Sequence, residues 1–410
     1  MPILVIFFLL FLFSSSSFGL TPNQLIENPI VKYSVSEIPQ LSAQTISSIH
    51  VVKWQNTGWH KVPFQIVEMD ELGLPYFAKG PNLLSGKSGV FDGRDELWLQ
   101  SSAFGEKVTT EHLDKGQSEV CISSEKCLYV SLIPLQTTDS QSSIEPLVQF
   151  DAELADIKTS HFSLNMNPKN YFLWDDFFFF PYQGPQQESL LDTIKIRLAG
   201  GVFSRFTRIE LDNHNLRARL LDYQSGDIST ILLLKTKVII AKIPVMSLHI
   251  YFQVFPQQID ISAHASLPAI FKKVLKNPTM SISLDGNKLL GAEFTTALGN
   301  NNWGVVDGKI DNTENQLIKN GISNEASWIW FDTGDQFSLA CFMDVPENFD
   351  IPISLFYEDD GELENKPERF RGQWPNIGYQ INAIPREKEF FFTASLVFSS
   401  RSKESVLIGD

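Results

Sequence analysis

The sequence is poor in cysteine, poor in basic residues and short of long apolar runs. Only three of its 410 residues are cysteine, and 48 acidic residues outnumber 33 basic ones, which gives a formal net charge of −15. Nucleic acids and anionic lipid surfaces are bound mainly through lysine and arginine. We therefore expect no nucleic-acid partner and no binding to an anionic membrane surface.

Several catalytic motifs are also missing. The sequence has no G-x-S-x-G nucleophile elbow, no phosphate-binding P-loop, no Rossmann glycine pattern and no Cys-x-x-Cys pair. These absences disfavour triad hydrolysis, nucleotide chemistry and thioredoxin chemistry, and they leave other enzyme classes open.

One unbroken apolar run stands at the start of the chain. Residues 3–13 are all apolar and four serines follow them, a run shorter than the roughly 20 residues of a spanning helix. We interpret residues 1–19 as a cleaved signal peptide, with an uncleaved membrane anchor as the alternative. A later candidate, residues 228–245, is interrupted by three lysines. We expect no membrane span after signal cleavage and a secreted or periplasmic location.

The cysteine positions agree with that location. Cys121 and Cys127 bracket a polar, turn-like segment, and an oxidising compartment favours closing so small a loop as a disulfide. Cys341 lies in an apolar, strand-like run, which predicts a buried free thiol.

Alternation of apolar and polar residues dominates the rest of the chain. Runs rich in β-branched and aromatic residues are separated by Asp-Gly and Asn-Gly turns, and helical periodicity is scarce. The pattern predicts a mainly β protein of antiparallel β-sandwich architecture with few short helices. Polar breaks suggest two β domains, a smaller one over residues 20–140 and a larger one over 141–410.

Half of the ten arginines lie in one short stretch: Arg197, Arg205, Arg208, Arg217 and Arg219. A hairpin of residues 203–211 and 216–222 would place Arg208 opposite Arg219 and Glu210 opposite Arg217. Such a group could bind the carboxylates or sulfates of an acidic polysaccharide. The alternative is a surface ion-pair ladder with neighbouring carboxylates, which contributes little.

A second predicted hairpin pairs residues 248–254 with 259–265. This register sets His249 opposite His264 and Tyr251 opposite Ser262 on a polar face, with apolar residues on the other. The histidines and Tyr251 are candidate ligand-binding residues, and the two imidazoles could share a metal. The alternative is an exposed pair without a ligand.

A third candidate site contains three carboxylates at a turn. Asp92, Asp95 and Glu96 precede a strand and surround a glycine, so they could bind calcium, the one cofactor that we consider. Asp95 or Glu96 could instead act as a catalytic acid beside Trp98. The third alternative is a β-turn whose side chains bond their own backbone.

Aromatic residues are a further indication of function, because sugar rings often stack on exposed aromatic side chains. Eight tryptophans are spread along the chain, and residues 177–180 are four consecutive phenylalanines after two aspartates. The leading hypothesis is a secreted or periplasmic β-sandwich protein that binds an extracellular ligand, an acidic or neutral glycan, without catalysis. The alternatives are a polysaccharide lyase or glycoside hydrolase with an arginine-lined cleft, and a structural protein of the cell envelope.

Overall fold

The computed structural model describes thirteen ranges of the chain. They are residues 20–56, 58–108, 117–121, 124–132, 137, 145–185, 188–202, 208–240, 243–266, 275–346, 349, 351–383 and 389–407. The predicted signal peptide and Arg205 lie outside these ranges. No helix within them is long and apolar enough to cross a membrane.

Up to residue 132, the described chain forms ten short strands and four helical turns. The strands are β1 (Ile30–Ser34), β2 (Gln44–Thr45), β3 (His50–Gln55), β4 (Gly58–Lys61), β5 (Gln65–Val67), β6 (Val90–Phe91), β7 (Glu96–Gln100), β8 (Gly105–Glu106), β9 (Gln117–Cys121) and β10 (Lys126–Ser131). Helix α1 (Pro22–Leu25) precedes them, and 3-10 turns occupy Pro39–Leu41, Ile46–Ser48 and Ser101–Ala103. The sheets are β1-β7-β5, β4-β3-β10-β8 with β9 on β10, and the pair β2-β6.

The described chain from residue 145 onwards forms longer strands. They are β11 (Val148–Asp151), β12 (Asp156–Thr159), β13 (Phe162–Asn167), β14 (Asn170–Phe179), β15 (Leu191–Val202), β16 (Arg208–Leu211), β17 (Leu216–Ser225), β18 (Thr230–Ile240), β19 (Ile243–Val254), β20 (Gln258–Ser266), β21 (Leu275–Gly286), β22 (Glu293–Thr296), β23 (Gly304–Val305), β24 (Ile329–Asp332), β25 (Ser338–Asp344), β26 (Ile353–Asp360), β27 (Gln373–Ile381) and β28 (Glu389–Ser399). Helices α2 (Asn312–Asn320) and α3 (Lys403–Leu407) complete this part. The mainly β, antiparallel prediction is confirmed.

Three sheets from this part enclose the main core. A nine-stranded sheet has the order β17-β18-β19-β20-β28-β25-β24-β22-β23, a four-stranded sheet runs β11-β12-β13-β14, and a five-stranded sheet runs β16-β15-β21-β27-β26. Phe252, Phe177 and Tyr357, one from each sheet, lie in one buried apolar cluster. Burying each such side chain contributes about 1.5–3 kcal/mol. The result is a β-sandwich whose sheets each show one face to the core.

The N-terminal strands have a core of their own and also pack on the outside of the nine-stranded sheet. Their own cluster lies entirely between Ile38 and Val130. A second cluster joins Trp98 and Phe77 to Leu233 and Tyr251 of the large sheet. The division into domains at 20–140 and 141–410 stays a prediction. Because the N-terminal strands cover part of the outer face of the large sheet, a ligand could reach only the remainder of that face.

The first predicted hairpin is wrong. β16 pairs with β15, whereas β17 pairs with β18 in a different sheet, so Arg208 does not face Arg219 and Glu210 does not face Arg217. The reason is Asn213 in the intervening turn, which is fully buried. Its amide donates to the Ile194 and Phe172 carbonyls and accepts from the Ile196 N–H. The turn is therefore a corner between two sheets.

The second predicted hairpin is confirmed from the His249–His264 pair to the Val254–Ile259 pair. β19 and β20 place His249 opposite His264, Tyr251 opposite Ser262 and Val254 opposite Ile259. Alternation fixes this register because a slip of one residue would turn the apolar side chains out of the core.

Candidate functional site

Four exposed cations stand on the outer face of β17 and β18. Arg217 lies directly opposite Lys237, and Arg219 lies directly opposite Lys235. We call these four residues the basic ladder. Neighbouring strands lie about 5 Å apart, and side chains on one face of a strand repeat about every 7 Å. The four cationic residues therefore form a compact two-by-two grid of positive charge.

The basic ladder has no acidic counterpart in the part of the chain that the structure describes. Among those residues, none of its four side chains forms an ion pair. The acidic neighbour Asp222 is 3.4 Å from Lys79 instead. Like charges directly opposed on a sheet cost a few tenths of a kcal/mol each, so the fold itself gains nothing from this arrangement.

The row that begins with Arg219 and Lys235 continues across the next three strands of the sheet with two histidines and a phenylalanine. Lys235 faces His249, His249 faces His264, and His264 faces Phe391. The rings of His264 and Phe391 are stacked at 4.1 Å between centroids. Burial, together with the charges of Lys235 and His264, lowers the pKa of His249. This row therefore carries fixed charge at one end and titratable charge in its middle.

Two of the predicted binding residues lie away from the basic ladder. Arg208 belongs to the five-stranded sheet, where it donates to the Thr279 hydroxyl at 3.2 Å and lies 3.5 Å from Glu210. Tyr251 is buried against Phe77 in the cluster under the N-terminal strands. The structure therefore brings together Arg217, Arg219 and the histidines, and the lysines of β18 complete the group.

The three carboxylates predicted to bind calcium accept hydrogen bonds from different donors within the protein. Asp95 is buried and accepts from the Met69 and Asp92 N–H groups, Asp92 accepts from the Lys87 N–H, and Glu96 accepts from the Trp98 indole. Burial raises the pKa of Asp95 to about 6. The three do not form one ligand set among the described residues. The turn alternative describes them, because their oxygens satisfy nearby N–H donors.

The two cysteine predictions are confirmed. Cys121 and Cys127 are directly opposite on β9 and β10 and form a disulfide. Cys341 is a free, buried thiol whose pKa burial raises to about 12.

A buried charge cluster on the five-stranded sheet was not found from the sequence. The Lys195 ammonium contacts Asp285, lies 3.0 Å from Glu368 and 3.4 Å from Asp192, and donates to the Asn365 carbonyl at 2.8 Å. Lys195 and Asp285 are both 0 % exposed. Burying one unpaired charge costs several kcal/mol, so these groups depend on one another.

The 361–372 segment closes over this cluster. It supplies Glu368 and Asn365, and its Arg369 donates to the Asp192 carboxylate and to the Leu191 and Asp192 carbonyls. The carboxylates of Asp192, Asp285 and Glu368 approach one another closely enough to hold a cation. Because the Lys195 ammonium contacts all three, calcium would have to compete with it for the same oxygens.

The cluster predicts how stability depends on pH. Burial raises the pKa of Asp285 to about 8 and that of Glu368 to about 7, against the opposing effect of Lys195. The folded protein then holds protons that the unfolded chain releases near pH 4. We expect the free energy of unfolding to fall as pH rises from 6.5 to 8, measured by urea denaturation.

The matched variant for this measurement is Asp285→Asn. Asparagine has the shape of a neutral carboxyl group but does not titrate. The free energy of unfolding of this variant should therefore fall less steeply between pH 6.5 and 8 than that of the unaltered protein. Histidines with lowered pKa values act in the opposite direction only below about pH 6.5. A flat or rising profile for the unaltered protein would contradict the protonated cluster.

Comparison with known proteins finds only partial structural similarity at low sequence identity. No protein-family model matches the sequence, and no curated protein matches it. Among solved structures, one similar chain is the alpha-N-acetylgalactosaminidase NagBb from Bifidobacterium bifidum in complex with Gal-NHAc-DNJ. It has a TM-score of 0.39 and 7% identity, and the match covers 62% of this chain and 37% of that one.

Two other similar structures come from different organisms. A GalM/aldose epimerase homologue from C. elegans has a TM-score of 0.35 and 9% identity, over 59% of this chain and 97% of that one. A 4-alpha-glucanotransferase from Thermococcus litoralis has a TM-score of 0.30 and 10% identity, over 62% and 39%. These neighbours are carbohydrate-active or aldose-epimerase-like proteins, and the chain spans well under half the length of the first and third.

Proposed function

We propose that this protein is a secreted or periplasmic β-sandwich protein that binds an acidic glycan along the basic ladder, without catalysis. The observation that carries the proposal is the basic ladder itself: two directly opposed like-charge pairs in a chain of net charge −15. An arrangement that costs the fold free energy is expected where a ligand supplies the missing charge. The Cys121–Cys127 disulfide supports an oxidising compartment.

Charge distribution favours a flexible acidic glycan over nucleic acid. The grid is small, and the rest of the chain is acidic enough to repel a long, densely charged duplex. A glycan with one carboxylate or sulfate per sugar or disaccharide can place its charges on the grid. Guanidinium groups are well suited to bind them bidentately.

The test is binding of defined polysaccharides by calorimetry and affinity electrophoresis. Polygalacturonate, alginate and chondroitin sulfate are compared with uncharged dextran, with duplex DNA as a competitor of equal charge. We expect an acidic glycan to bind, and its affinity to weaken steeply as salt is raised. If no acidic glycan binds, the proposal is wrong and a structural role in the envelope gains support.

Absence of catalysis is tested on any glycan that binds. The product assays are release of reducing ends, which reports hydrolysis, and ultraviolet absorbance of unsaturated ends, which reports elimination. Binding without product is expected. Turnover would favour the lyase or hydrolase alternative.

Binding should strengthen on acidification because the row contains histidines. An anion favours the imidazolium form of His249, whose pKa is lowered by burial and by neighbouring charges. We therefore expect affinity for chondroitin sulfate to rise about threefold to fivefold as pH falls below about 6.5 towards 5, because one added charge contributes up to about 1 kcal/mol. The sulfate stays ionised throughout. The variant His249→Gln should keep its affinity at pH 7.5 and lose the increase. An equal increase in the variant would exclude His249.

A further inference from the structure

The four-stranded sheet presents a second surface, away from the basic ladder. Along β13 and β14, Phe162, Leu164, Phe177 and Phe179 are buried, so the alternate residues face outward. The outward row of Asp156, Asn165 and Asp176 is directly paired across β12, β13 and β14, and the row of Lys158, Ser163 and Phe178 lies beside it. The run of four phenylalanines thus divides into two core residues and two outward ones.

The outward residues line an open groove of about 460 Å³. Its walls are Leu154, Asp156, Ser163, Asn165, Asp176 and Phe178. Phe178 is 38% exposed. Large aromatic side chains bring substantial apolar area to a contact at small entropic cost. Phe178 therefore provides the groove with an aromatic platform.

The polar residues of the groove are hydrogen-bonding groups of mixed kind. Asp156 and Asp176 offer carboxylate acceptors, while Asn165 and Ser163 offer both donors and acceptors. Asp176 is held 3.6 Å from Arg369, and the Asn165 amide donates to the Leu154 carbonyl at 3.4 Å. These contacts orient the side chains and leave further lone pairs available.

The chemistry of this groove matches a neutral pyranose. One face of such a ring carries C–H groups that pack on an aromatic side chain, and its rim carries hydroxyls that donate to carboxylates in charge-assisted hydrogen bonds. Because Arg369 and Lys158 balance the charges of Asp156 and Asp176, the groove has no excess of positive charge to attract an acidic sugar. A cationic peptide is disfavoured because Arg369 and Lys158 already offset the negative charge.

We propose that the outer face of the four-stranded sheet is a binding site for a neutral hexose unit of a glycan, with Phe178 as the stacking platform and Asp156, Asn165 and Asp176 as hydroxyl partners. We call it the neutral-sugar groove. It is independent of the basic ladder, and it accepts the ligands that the ladder does not bind.

The test is titration of the full chain with maltohexaose, cellohexaose and mannohexaose, followed by saturation-transfer NMR and calorimetry. We expect at least one of them to bind. Phe178→Ala should weaken that binding by about tenfold, the size of a single aromatic contact. Asp176→Asn, which keeps the shape of the groove, should weaken it by several fold. Leu83→Ala, at a residue that is 73% exposed elsewhere, is the control and should change nothing.

The possible results are decisive in either direction. Loss of binding in Phe178→Ala and Asp176→Asn, with native circular dichroism, supports the site. No binding to any of the three oligosaccharides, or equal binding by both variants, overturns it, as does binding of a hexalysine peptide alone. The variant Arg217→Glu/Arg219→Glu, which reverses two charges of the basic ladder, should keep its affinity for the neutral oligosaccharide. This proposal and the acidic-glycan proposal can therefore fail separately.

Discussion

Replacing Lys195 with methionine is expected to destabilise the protein by about 3–5 kcal/mol, the usual cost of removing one partner from a buried ion pair. Methionine fills nearly the same volume but leaves Asp192, Asp285 and Glu368 without the ammonium that all three contact. Protonation removes the cost of burying an unpaired carboxylate, and it occurs more readily at low pH. The loss of free energy of unfolding should therefore be larger at pH 8 than at pH 6. Urea denaturation at both pH values measures it.

The control for this variant is Lys169→Met. Lys169 is exposed in the turn between β13 and β14, where its backbone N–H bonds Asn167. An exposed substitution of this kind should stay within about 0.5 kcal/mol. If Lys195→Met cost no more than the control, the cluster would contribute nothing to the attachment of the 361–372 segment.

Reversing the charge of two ladder residues is expected to have the largest effect on binding. Arg217→Glu/Arg219→Glu removes two positive charges and adds two negative ones. At roughly 0.5 kcal/mol for each unit of charge, affinity for an acidic glycan should fall about thirtyfold. Thermal stability should be unchanged or slightly raised, since each new glutamate would face a lysine on β18.

A second double variant separates this local effect from net charge. Lys169→Glu/Lys309→Glu makes the same change in net charge at two exposed positions away from the basic ladder. It should reduce affinity only slightly, through the long-range field. Equal losses in both variants would show that binding follows overall charge and does not require the grid.

The sequence predicted those parts of the fold that depend on alternation alone. The β19–β20 register follows from which side chains must be buried, so the pairing of His249 with His264 could be derived. The two lysines of β18 were visible only as interruptions of an apolar run. Their position opposite Arg217 and Arg219 could have been found by pairing β17 with the following strand.

The corner at Asn213 and the buried cluster around Lys195 could not be predicted, because both depend on contacts between distant parts of the chain. Asn213 looks like an ordinary turn residue, and its bonds to Ile194 and Phe172 cannot be inferred from the local sequence. Likewise, alternation in β15 predicts that Lys195 faces outward from the core. It is buried by Glu368 and the segment around it, more than 170 residues away.

The strand order of the nine-stranded sheet has a consequence for the timing of folding. Its central strand, β28, lies between β20 and β25, yet it is the last strand of the described chain. During synthesis, β20 and β25 must therefore wait with unpaired edges until residue 399 has emerged, and such edges recruit other strands. Closure of the sheet that carries the basic ladder therefore depends on pairings of high sequence separation, which slow folding.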